Sequence, residues 1–252
     1  TYAPEKPEDM AQIMADFDQF IMPGMTHWQH PRFFAYFPSN ATPPSILADF
    51  LSATLSSQGI LWQMSPAATE LETAMMGWMR DAVGLPPDYS GVIQDSASTA
   101  TLAAILTMRE SALNWEGNKH GLSGHNRLRV YVSDEAHSSV EKAVWIAGIG
   151  SENIVRLPVI GPMRGTDPSA LKAAIESDIA AGFTPAGFVG VIGGTGMGAC
   201  DDLEKLISVA KEFDLYVHVD AAWAGSAMIC DEFRYLWCGI AGADSVVLNP
   251  HK

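Results

Sequence analysis

This sequence predicts an α/β fold: a mainly parallel central sheet with helices on both faces, preceded by an N-terminal helical segment. Three observations carry that expectation. From residue 91 onward, short apolar runs alternate with amphipathic stretches of helical length. Those runs are apolar almost throughout, not at every second position, as strands covered on both faces require. Residues 1–90 lack the alternation and read as helices and loops.

Within 1–90, Ile13, Phe17, Phe20 and Ile21 recur near helical spacing and predict a helix over about 8–22, ended by Pro23-Gly24. The Pro- and aromatic-rich stretch 30–38 reads as a loop. Helices follow over about 44–56 and 66–83. In the second, Leu71, Met75, Met76 and Met79 share one face, a stripe expected to fill core. Strands are predicted at 91–94, 128–132, 154–157, 187–192, 216–219 and 245–248. Helices over about 99–114, 138–147, 168–181 and 202–213 lie between them.

Composition narrows the function. The 252 residues are 48% hydrophobic and 17% charged, the profile of a globular protein. A formal net charge of −14 repels nucleic-acid phosphates and anionic membranes, so neither is an expected partner. No apolar run is long enough for a membrane span, and no signal peptide is recognisable. Cys200, Cys230 and Cys238 are too few and too irregular for a disulfide framework or a zinc site. They are expected to be buried thiols in a reducing, cytoplasmic setting. The sequence opens on Thr1 and stops on Lys252, just after the apolar run 245–248. Domains rarely stop one strand-length into a core, so a piece of a longer chain, or a reading interrupted at a modified lysine, is expected.

Ligands of parallel sheets sit at the carboxyl ends of the strands. After 91–94 come Asp95, Ser96, Ala97, Ser98 and Thr99, small residues opening a helix; they could be an ordinary cap or an anion nest. After 128–132, His137 stands at the turn into a helix, as a surface residue or a stacking group. After 187–192 comes Gly193-Gly194-Thr195-Gly196, a weak match to a dinucleotide loop. Asp220 ends the fifth run, where a buried carboxylate calls for a cation: a metal, an arginine or a protonated ring. Asn249, Pro250, His251 and Lys252 end the sixth, placing an amine nucleophile at the sheet's mouth. Together these groups match the needs of pyridoxal phosphate: an anion nest, a stacking ring, a carboxylate for the ring nitrogen and an attachment lysine.

Two segments, HVDAAWAGSA (218–227) and DSVVLNPHK (244–252), resemble the cofactor segments of the group II pyridoxal-phosphate-dependent amino-acid decarboxylases. HWQHPRFFAYFPSN (27–40), SPAATELETAMMGWM (65–79) and VIQDSASTATLAAI (92–105) resemble the aromatic-L-amino-acid branch. The resemblance implies a fold-type I enzyme, a homodimer with shared active sites, that converts an L-amino acid, most readily an aromatic one, to its amine and CO2. It implies that Lys252 attaches pyridoxal 5'-phosphate, Asp220 pairs with the ring nitrogen and His137 stacks on the ring. Ser96, Ala97 and Ser98 would hold the phosphate with Asn249 and His251, while Thr195 and Ala222 line the ring. Tyr36, Phe37, Pro38 and Ser39 would wall the substrate pocket, and the segment 58–60, with Ile60, would reach in from the partner subunit. Residues 1–90 would then serve the dimer and the pocket, and 91–252 would be part of the large cofactor-binding domain. Asp95 stands where many animal members have Gly, and Thr99 where they have Glu.

Other readings share some of these residues. An aminotransferase or a decarboxylation-dependent aldehyde synthase would also use Asp220 and Lys252. A non-catalytic cofactor-binding or dimerisation fragment is the reading from another class, and a chain that truly ends at Lys252 is expected to show no turnover. A metal hydrolase built on His218, Asp220 and His251 would carry metal and no yellow colour.

Overall fold

The computed structural model describes residues 3–37 and 41–252. They fall into two compact units: residues up to Leu51 together with His251, and Ser52–Pro250 together with Lys252.

In the first unit, helix α1 (Met10–Asp16) does not run on regularly to residue 22. It widens into a π-helical turn over Phe17–Ile21 and closes with a 3-10 turn at Met22–Gly24, where Pro23 removes a backbone donor. Ile13, Phe17, Phe20 and Ile21 are all exposed. The aromatic loop places Trp28 against Tyr36 with ring centroids 5.4 Å apart and nearly parallel planes. Tyr36 holds a left-handed backbone (φ 58°), uncommon for so bulky a residue. Helix α2 (Pro43–Leu55) begins in this unit and ends in the second.

The second unit is built on a five-stranded parallel sheet in the order β2-β1-β5-β6-β7. Its strands are β1 (Leu128–Ser133), β2 (Ile154–Leu157), β5 (Thr184–Val191), β6 (Tyr216–Asp220) and β7 (Ser245–Val247). Its helices are α3 (Pro66–Ala82), α4 (Ala97–Ala112), the single turn α5 (Gly117–His120), α6 (Ser138–Ile146), α7 (Pro168–Ala180) and α8 (Leu203–Glu212). Side-chain alternation along each strand feeds two cores. Tyr131, Phe188, Val217 and Val219 pack with Leu171, Ile175, Leu203 and Leu206 of α7 and α8. Val130, Val132 and Val189 pack on the other face with Ile105, Met108, Val140 and Val144 of α4 and α6. Close packing leaves no room for a side chain at Gly187, where a Cβ would stand 2.4 Å from the Tyr216 carbonyl and 2.7 Å from Met108.

Three further expectations are corrected. The run 91–94 forms no strand; Val92 and Ile93 are exposed, and the Ile93 N–H donates to Glu72 Oε1 at 2.7 Å. An apolar run signals a wish for burial, but a strand needs a ladder neighbour, and among the described residues this one has none. The stripe on α3 does not fill a core in this chain: Leu71 and Met75 are exposed, and Met76 and Met79 are only partly covered. Of the cysteines only Cys200 is buried; Cys230 and Cys238 are exposed at the ends of the 3-10 turns that follow β6.

A hairpin of β3 (Val159–Ile160) and β4 (Gly165–Thr166) escaped the sequence, because two-residue strands carry no periodicity. Buried Asp201 ties it to the sheet, accepting the Thr166 N–H with one oxygen and the Val191 N–H with the other, both at 2.7 Å. Burial pushes this carboxyl above the ordinary carboxylate range, and the two amide donors pull the other way. Asp201→Ala would orphan both donors. It is expected to cost about 3 kcal/mol in urea unfolding, and a change within 0.5 kcal/mol (about the scatter of neutral surface substitutions) would show that these bonds do not hold the hairpin.

Candidate active site

The strand order reverses between β1 and β5: the chain leaves β1 for β2 on one side and returns on the other with β5, β6 and β7. Such a switch point opens a crevice at the carboxyl ends of the strands. His137 follows β1 and Gly193-Gly194-Thr195 follows β5, so the two segments flank it. They are neighbours in space: a Cβ on Gly194 would lie 3.3 Å from the Glu135 carbonyl. Gly193 (φ 81°) needs both its backbone freedom and its missing side chain, since a Cβ there would stand 2.4 Å from the Ala224 Cβ.

His137 is exposed and caps α6. Its Nδ1 accepts the Ser139 N–H at 3.2 Å and lies 2.8 Å from Ser139 Oγ. Nδ1 is thus committed as an acceptor, which leaves Nε2–H as the donor of the neutral ring.

Ser96 caps α4 through a capping box with Thr99, its Oγ accepting the Thr99 N–H at 3.3 Å. The amides of Ala97 and Ser98, the first helical residues, are the donors that this cap leaves open at a positive dipole end. Thr99 also donates its hydroxyl to Asp95. The Asp95 carboxylate is therefore held by its own helix turn.

Asp220 ends β6 and is 8% exposed. Its Oδ1 accepts the Ala222 N–H at 3.1 Å, and among the described residues no cationic side chain pairs with it. Ala222 is linked onward, its carbonyl accepting the Asn249 N–H at 2.8 Å, so the ends of β6 and β7 are joined. Asn249 is buried, and its carbonyl accepts from Ser226 Oγ at 3.3 Å. Lys252 is exposed, with its N–H on the Asn249 carbonyl at 3.3 Å.

Ser96, Ala97, Ser98, His137, Thr195, Asp220, Ala222, Asn249 and Lys252 thus all lie in the sheet unit, at strand ends or at the start of α4. Ile60 is exposed in the same unit. His251, Tyr36 and Phe37 belong to the other unit, His251 and Tyr36 exposed and Phe37 partly covered. Pro38 and Ser39 lie outside the described residues. Among the described residues no group of three or more His, Cys, Asp or Glu is arranged to hold a metal ion, and no helix is long and apolar enough to cross a membrane.

Sequence reasoning missed Ser139 and Ser245. Ser139 could have been found from its place two residues after a capping His. Ser245 faces His218 across the ladder, its Oγ 2.8 Å from His218 Nδ1, and only strand pairing reveals it. Burial pushes the His218 imidazole below its ordinary value, with the Asp220 charge opposing. A histidine held uncharged in this way contributes stability that is complete above the unfolded imidazole value and is lost as pH falls below it.

The donor set fits pyridoxal phosphate on the structure's own terms. A buried carboxylate without a cation suits a protonated ring nitrogen, open helix amides suit a phosphate, and an exposed amine follows the neighbouring strand. Known proteins agree. The aromatic-L-amino-acid decarboxylase of Sus scrofa is 42% identical over 262 residues, covering 99% of this chain and 53% of the relative. The crystal structure of Oryza sativa TDC with PLP and tryptamine superposes with a TM-score of 0.94 at 36% identity, over 100% of this chain and 53% of that one. That of Rhodiola rosea 4-hydroxyphenylacetaldehyde synthase does so with a TM-score of 0.93 at 38% identity, over 100% and 54%. The chain spans about half the length of the curated relatives it matches. With the pyridoxal-dependent decarboxylase conserved domain matching residues 1–252, the chain belongs to the pyridoxal-dependent decarboxylase family.

Proposed function

We propose that the protein containing this chain is a pyridoxal-phosphate-dependent carboxy-lyase that converts an aromatic L-amino acid to its amine and CO2. The observation that carries the reading is Asp220, a buried acid with no cation among the described residues, on the strand next to the one leading into Lys252. When bound, the cofactor supplies an electron sink for cleavage at the substrate's Cα. Lys252 provides the amine that takes up the cofactor's aldehyde. Asp220 holds a proton on the ring nitrogen. Ala97 and Ser98 donate their amides to the phosphate, with Ser96, Asn249 and His251 completing that set. His137 covers one face of the ring and limits water, while Thr195 and Ala222 line it. Tyr36, Phe37, Pro38, Ser39 and Ile60 are the proposed lining for the substrate side chain.

The test is a visible spectrum of the full-length protein, borohydride reduction and mass mapping of the labelled peptide, followed by an amino-acid panel scored for amine, aldehyde and CO2. A yellow protein labelled at Lys252 that releases amine is expected. Protein that stays colourless after reconstitution would end this reading. The likeness to the Rhodiola aldehyde synthase favours one second reading, decarboxylation with oxidative deamination to an aldehyde, which the same panel separates.

A homodimer is part of the proposal. Ile46, Leu47, Phe50, Leu51 and Leu55 repeat at helical spacing along α2, all exposed, and Leu61, Trp62 and Met64 further along the chain are exposed as well. Light scattering on the full-length protein is expected to give twice the chain mass; a monomer at micromolar concentration would refute it. A cytoplasmic setting is proposed with it, supported by three unpaired cysteines.

A further inference from the structure

The sheet face on which Asp220 lies carries a polar cluster that the proposed chemistry leaves unused. Tyr216, His218 and Asp220 alternate onto the face of β6 crossed by α4, while Val217 and Val219 enter the opposite core. His218, one pleat repeat before Asp220, is 1% exposed. Its Nδ1 lies 2.8 Å from Ser245 Oγ, and its Nε2 is buried without a hydrogen-bond partner among the described residues. On the buried side of α4, Thr101 also holds a fully buried hydroxyl with no partner. Leaving buried polar atoms unpaired is costly, so a nitrogen kept in such a place calls for a role. His218 and Asp220 feel each other's charge, and among the described residues Asp220 is anchored by the Ala222 backbone N–H.

We propose that His218 is a positioning residue for Asp220: Ser245 donates its hydroxyl to Nδ1, which places the ring proton on Nε2, and in the cofactor-loaded protein the Asp220 carboxylate turns to accept that Nε2–H, a bond not made in this structure, and is thereby oriented toward the cofactor's ring nitrogen. A cation at this place would claim the carboxylate's charge for itself. A purely apolar ring would leave the carboxylate unsteered. The inference rests on the decarboxylase reading.

The test uses the full-length holoenzyme. Asparagine sets its amide where Nδ1 stands, and glutamine where Nε2 stands. His218→Gln is expected to keep the cofactor dissociation constant within about threefold, and His218→Asn to raise it about tenfold, the scale of one hydrogen bond. His218→Asn is also expected to shift the 15N resonance of the ring nitrogen in labelled cofactor. Unchanged affinity and resonance in folded His218→Asn would overturn the proposal. Neutron diffraction from the unsubstituted holoenzyme reads the deuteron on His218 directly and needs no variant to fold: Nε2 is expected, and Nδ1 would overturn the proposal. Wild-type protein that takes up no cofactor would instead refute the decarboxylase reading itself.

Discussion

Lys252→Ala in the full-length protein is expected to abolish borohydride labelling and to lower turnover by about a thousandfold or more, beyond the loss of one preorganised stabilising group. The substitution removes the amine proposed to bind the cofactor's aldehyde reversibly. Lys252→Arg should fail equally, since a guanidinium keeps its proton and is no nucleophile. Folding should be spared: Lys252 is exposed, and its backbone N–H, not its side chain, bonds to Asn249. Absorbance, mass mapping and circular dichroism on the same samples separate these effects. A borohydride-stable label elsewhere in Lys252→Ala would move the attachment site and with it the role of the loop after β7.

Asp220→Asn is expected to keep the fold and bound cofactor yet lose about 10²–10³ in turnover, equivalent to roughly 3–4 kcal/mol of barrier. The amide oxygen can still accept the Ala222 N–H, so the local bond survives while the charge disappears. What is lost is the negative charge proposed to hold a proton on the ring nitrogen. Asp220→Ala is a harsher change, because it also orphans the Ala222 N–H at about 1–3 kcal/mol in stability. Steady-state rates beside cofactor titrations distinguish the two. Turnover at the unsubstituted level in Asp220→Asn would refute the role assigned to this acid.

Much of the sheet was legible in order along the chain because its signals are local. The runs that became β1, β2, β5, β6 and β7 are each short, apolar and bounded by helices or turns. Their ends, with His137, Asp220 and Lys252, could be marked before any pairing was known. The run 91–94 has the same texture and forms no strand, because apolarity does not name a neighbour. The stripe on α3 misled for the same reason: a helical period shows which face seeks burial, but not whether this chain supplies the cover.

The residue types that pyridoxal phosphate chemistry needs, and their places at strand and helix ends, were determined by the sequence, since local pattern decides where a strand stops and a helix begins. Tertiary structure decided which ends adjoin. The reversal between β1 and β5, the bond from Asn249 to Ala222 and the pairing of His218 with Ser245 join residues far apart along the chain. The character of His218 was decided there too: its charge state depends on burial under α4, and burial arises from packing between distant segments.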